Sequence, residues 1–130
     1  MNMVVDTDKL DTFEKLIAWQ EARVLTKSTY VLTRMFPKDE QFALTNQMRR
    51  AASSVQANIA ESFSRRSIAD KLHFYTIAAG SLTELQSFTC TVVDVEYISE
   101  SQRFKLYNQC VKTHKLLTGL TRATKRRQSA

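Results

Sequence analysis

The chain has 130 residues, 43% hydrophobic and 25% charged, a make-up that suits one soluble domain with a single core. Two glycines and one proline are too few for many strands and tight turns, so long uninterrupted helices are expected. The net charge of +6 is uneven: residues 1–21 hold five acids and two bases, whereas residues 101–130 hold eight bases and no acid. Such asymmetry marks either an anionic partner or a solvated helix end whose cations complement the dipole.

Residues 1–8 read as a short N-terminal arm, with no apolar run of signal-peptide length, and a cytoplasmic protein is expected. The first helix is predicted from about Asp8 or Asp11 to Met35. Its expected core face is Phe13, Ile17, Val24, Val31 and Met35, at spacings of four and seven, widened by Trp19 and Tyr30. Phe36-Pro37 ends it, because proline restricts the residue before it and cannot continue the hydrogen-bond ladder.

A second helix starts near Lys38-Asp39-Glu40, with acids at its positive end. One face carries Met48, Ala51, Ala52, Val55, Ile59 and Ser62, and is the predicted core. A second holds Arg50, Ser54, Asn58, Glu61 and Arg65 within about 80° of arc. The third, Ser53, Ala57, Ala60 and Ser64, is small enough for close backbone approach. With one acid between Arg50 and Arg65, this helix reads as covered on most sides, and homo-oligomerisation through the second and third helices is the expected cause. Arg50, Ser54, Asn58, Glu61 and Glu84 are then a buried polar network or subunit interface, with Arg50 expected to pair with Glu84 or Glu61, within the subunit or across the interface.

The run 64–67 interrupts the pattern, and Ser67 is a cap with Asp70 three positions on. The third helix, Ile68 to Tyr97, steps by three and four through Tyr75, Ala78, Leu82, Leu85, Thr89 and Val92, the seam of a left-handed bundle. Phe74, Ile77, Ser81, Phe88 and Val95 form a second stripe beside it. His73, Gly80, Glu84 and their polar neighbours exclude a membrane span.

After a turn at 99–101, the fourth helix is predicted to pack through Phe104, Tyr107, Val111 and His114, with Leu106, Cys110, Leu117 and Leu120 alongside. A basic tail covers about 122–130. Cys90 and Cys110 are too few for a disulfide framework and are expected as buried free thiols. Short connections between long helices make the chain, 1–130, one all-α domain: an antiparallel up-down-up-down four-helix bundle.

These residues resemble a bacterial family of four-helix-bundle proteins whose founding members are encoded by intervening sequences inserted in 23S ribosomal RNA genes. The motifs are Phe36-Pro37, Glu40 and Phe42; Gln47, Arg49-Arg50-Ala51-Ala52 and Ser54; Asn58-Ile59-Ala60-Glu61 and Arg65; and Gly80-Ser81-Leu82 with Glu84-Leu85. Phe13, Leu16, Trp19 and Ala22 fit as well, so the likeness covers roughly residues 12–120. Ser62 stands where the family usually has glycine. The resemblance implies a cytosolic bundle assembling as a ring-like homopentamer. It extends distantly to a nucleic-acid-binding accessory protein of diversity-generating retroelements, and it implies no established activity.

On the fourth helix Lys105, Lys112, Lys115, Arg122 and Arg126 share about a 100° arc, and Lys125 and Arg127 add charge. With Arg49, Arg65 and Arg66 these are the candidate contacts to RNA or other nucleic acid, made by charge and counterion release. No recognition helix, RNP motif or zinc finger is present to read bases. The competing class is a protein-interaction scaffold. An enzyme is not expected: Cys110 and His114 make at most half a metal site, Glu61 and Glu84 lack the Glu-x-x-His pairs of di-iron bundles, and no cofactor motif is found.

Overall fold

The computed structural model describes residues 12–129, with side chains to residue 127. The predicted arm and the start of the first helix near Asp8 or Asp11 lie outside the described residues. Phe13–Lys15 forms a 3-10 turn, and α1 then runs Ile17–Thr33. A second 3-10 turn, Lys38–Glu40, precedes α2, Leu44–Ser64. The last two helices are α3, Ile68–Asp94, and α4, Glu100–Ser129. Each helix packs on its neighbours in sequence, and α4 returns to pack on α1.

The connections are built from local polar chemistry. The Ser67 hydroxyl accepts from Asp70 N at 3.1 Å, so the predicted cap of α3 is present. A capping box opens α4: Ser99 Oγ accepts from Gln102 N at 3.1 Å, and Gln102 Oε1 accepts from Ser99 N at 2.8 Å. Lys71, only 8% exposed, donates to the terminal carbonyls of Ser62 at 3.0 Å and Phe63 at 3.4 Å, closing the end of α2. Glu40 accepts from Leu44 N at 3.2 Å and from the Tyr97 hydroxyl at 2.8 Å, tying the start of α2 to the end of α3.

The C-terminus of α3 is a Schellman turn. Tyr97 N donates to Val92 O and Glu96 N to Val93 O, both at 2.9 Å, which forces Glu96 to φ 65°. Glutamate carries a steric penalty there that glycine does not. Glu96→Gly is therefore expected to stabilise the fold by about 0.5–1 kcal/mol, read as a higher urea midpoint. A lower midpoint would contradict the turn assignment.

The predicted seams of α2 and α3 are buried residue for residue, from Met48 to Ser62 and from Tyr75 to Val92. That of α1 is not, and on α4 the expected stripe of Leu106, Cys110, Leu117 and Leu120 is buried but the one through Phe104 and His114 is not. Val24, Val31 and Met35 are 48%, 50% and 61% exposed; α1 buries Ala18, Ala22, Leu25, Thr29 and Thr33 instead. Phe104 is 64% exposed and His114 is exposed, while α4 buries Leu106, Cys110, Thr113, Leu117, Leu120 and Thr124. Threonine explains the shift. Thr29 and Thr33 return their hydroxyls to the carbonyls of Leu25 and Thr29 at 2.8 Å, and Thr113 bonds Gln109 O at 2.9 Å. With the hydroxyl satisfied inside its own helix, the methyl group packs as an apolar one.

The two thiols also part ways: Cys110 is buried, but Cys90 is exposed, against expectation. Burial pushes the Cys110 thiol from an ordinary 9.0 up to about 12. An unfolded chain loses this proton from about pH 9 upward while the fold retains it, so stability is full below that pH and falls towards about pH 12. Tyr97 acts in the same direction, because its hydrogen bond to the Glu40 carboxylate raises its pKa above the ordinary 10.0. In the native protein a thiol reagent is expected to titrate one cysteine rapidly at pH 8, and the second only in denaturant. Rapid reaction of both would contradict the burial of Cys110.

Candidate nucleic-acid interface

Helix α4 presents a basic ridge because its cations recur on the side turned away from the Leu106–Thr124 seam. Lys105, Lys112, Lys115, Arg122, Lys125 and Arg126 are all exposed, and Arg127 is half-buried. Lys112 is partly neutralised. Its Nζ lies 3.2 Å from Glu21 Oε1, and Gln109 Nε2 holds the other carboxylate oxygen at 2.8 Å. No acid follows Glu100 along α4, so the ridge has no internal counter-charge.

The remaining arginines divide. Arg49 is half-buried, donating from Nε to Thr33 Oγ1 at 2.9 Å and lying 4.6 Å from the Tyr30 ring centre, so it fastens α2 to α1. Arg65 pairs with Glu61 and lies 4.8 Å from the Phe74 ring centre. Arg66 is exposed beside it. Tyr75 and Thr124 bond across at 3.3 Å, which sets the start of α3 beside the end of α4. Arg65 and Arg66 therefore stand at the same end of the molecule as Arg122 to Arg127.

The expected polar network forms only in part. Asn58 Nδ2 donates to Ser54 O at 2.8 Å and to Ser54 Oγ at 3.0 Å, and Ser81 Oγ reaches Ser54 Oγ at 2.9 Å. Glu61 is committed to Arg65 on the surface. Arg50 and Glu84 are both exposed, line one shallow groove with Ala51, Ser53, Ser54, Ala57 and Ser81, and form no ion pair with each other. Within one chain, small neighbours on α2 and α3 leave both charged heads in water. Among the described residues every buried side-chain nitrogen or oxygen has a hydrogen-bond partner.

One arrangement went unrecognised in the sequence. His114, Thr118, Thr121, Arg122 and Lys125 share one side of α4 and face Tyr75, Thr76 and Ala79 of α3 across a cleft of about 270 Å³ floored by Leu117. The spacing of four, three, one and three along α4 is the signal that could have found its α4 half. Cys110 is in the core while His114 faces this cleft, so the two do not converge, and no metal-binding cluster occurs among the described residues. No described helix is long and apolar enough to cross a membrane.

A solved structure similar in fold comes from Bacteroides thetaiotaomicron, a protein described as of unknown function from the S23 ribosomal protein family. It shares 22% identity, with a TM-score of 0.75 over 81% of this chain and 98% of that one. Comparison with curated proteins finds no match. The family model for the 23S rRNA-intervening sequence protein matches residues 14–119, which spans all the helices save the end of α4. This chain belongs to the 23S rRNA-intervening sequence protein family.

Proposed function

We propose that the protein is a non-enzymatic, cytoplasmic, ring-like homo-oligomer that binds RNA or other nucleic acid through the α4 ridge. The observation that carries this reading is the ridge itself: exposed cations on one side of a helix with no acid after Glu100. The family link to 23S ribosomal RNA supports RNA as the partner. An up-down-up-down course is supported by Gln102 bonding Met35 and Gln109 bonding Glu21, since the register falls on α1 as it rises on α4.

Assembly, as a pentamer by family resemblance, is supported by two unlike surfaces. Val24, Val31, Leu32 and Met35 of α1 and Leu106 of α4 line an open apolar groove. The α2–α3 groove bearing Arg50 and Glu84 is lined by small residues, and a Cβ on nearby Gly80 would touch nothing within 4 Å. Head-to-tail contact between unlike patches generates rings. The exposed apolar groove equally favours a second reading, a protein-interaction scaffold. RNA titrations at graded salt separate the two. A steep fall in affinity with salt supports the nucleic-acid reading, and no binding at low salt leaves the scaffold. Met35→Lys is expected to reduce the oligomer mass without unfolding the chain, checked by light scattering and circular dichroism.

A further inference from the structure

The α3–α4 cleft differs from the rest of the basic surface in having walls. Its cations, Arg122 and Lys125, and the His114 imidazole are exposed, and no carboxylate lines it. Thr118 and Thr121 lie beside them on α4 and Thr76 stands opposite; the Thr76 and Thr121 hydroxyls donate to the Leu72 and Leu117 carbonyls at 3.0 and 2.8 Å, and the floor of Ala79 and Leu117 is apolar. Tyr75 is fixed by its bond to Thr124, so that wall is preformed. Two cations suit a phosphate, whereas an apolar floor suits the sugar or base attached to it. A volume of about 270 Å³ is below that of typical drug-sized pockets and has no room for a base pair.

We propose that this cleft seats one phosphate of a single-stranded nucleic acid, with the adjoining nucleotide against Ala79 and Leu117. The assignment rests on the nucleic-acid reading above and adds a strand preference that a bare ridge does not provide. Arg122 and Lys125 hold the phosphate oxygens, and His114 borders the neighbouring sugar. The outer cations, Lys105, Lys115 and Arg126, contact further phosphates on single and double strands alike.

The test uses the full chain and two fluorescent RNA probes of equal length, one single-stranded and one duplex, with binding followed by anisotropy. Two variants address the cleft. Arg122→Ala/Lys125→Ala removes charge; Thr76→Trp fills the cleft from its exposed rim and leaves the charge unchanged. Both are checked for folding by circular dichroism. Thr76→Trp is expected to lower single-strand affinity about ten-fold while leaving duplex affinity in place. The charge variant is expected to lose more affinity for single strands than Lys105→Ala/Lys115→Ala loses. Wild-type protein that binds neither probe would overturn the nucleic-acid reading and this site together. Wild-type binding with Thr76→Trp unchanged would overturn the site alone. Inorganic phosphate and a mononucleotide serve as competitors: displacement of RNA only at high millimolar concentration supports the strand as ligand. Displacement by free phosphate at micromolar concentration would overturn it.

Discussion

Leu25→Ala is expected to cost about 3 kcal/mol, whereas its neighbour Val24→Ala costs less than about 0.5 kcal/mol. Leu25 is 0% exposed among the α1, α2 and α4 seams, so truncation leaves a cavity that close-packed helices fill only partly. Val24 is 48% exposed and loses little contact. For a chain of this length 3 kcal/mol lowers the melting temperature by on the order of 10 °C. Thermal unfolding of the two variants side by side reads the register of α1. Equal losses would restore the Phe13–Met35 stripe as a core face.

That pair also shows where the sequence is legible. On α2 and α3 the buried positions are mostly apolar and step by three and four, so pattern and packing agree from Met48 to Val92. On α1 two of five buried positions are threonine, and the larger apolar residues line a surface groove instead. Hydropathy counts Thr29 and Thr33 as polar, yet their bonds to backbone carbonyls leave only methyl groups for the core. A search that admitted threonine at seam positions would have found Leu25, Thr29 and Thr33 on α1, and would have added Thr113 and Thr124 to the expected stripe of Leu106, Cys110, Leu117 and Leu120 on α4.

The candidate site divides on the same line. The α4 ridge follows from counting charges along one helix. The cleft does not, because Thr76 and Ala79 reach it from a helix some forty residues earlier and only packing brings them to His114 and Arg122. Partners hidden from the sequence also change what individual charges can do. Glu21 occupies Lys112, and Thr33 with Tyr30 occupies Arg49, so neither is as free for phosphate as its position implies.

The second large effect concerns the ridge. Lys115→Glu/Arg126→Glu reverses two exposed charges distant from the core, so the fold is expected to persist. Each phosphate contact on a single strand contributes about 0.7 to the salt slope, so losing two removes about 1.4 and, with the added repulsion, lowers affinity at 0.1 M salt by about 25-fold or more. Binding isotherms at four salt concentrations give both quantities. An unchanged slope would place the contact surface elsewhere on the molecule.

The central claim, a homo-oligomer that takes RNA by charge, is tested most directly by multi-angle light scattering of the pure protein with and without a structured ribosomal RNA fragment, at low and high salt. The account predicts a particle of several 14.9 kDa chains, about five by family resemblance, that gains the mass of the RNA at low salt and releases it at high salt. A single 14.9 kDa chain, or an oligomer whose mass ignores RNA at every salt concentration, would contradict it.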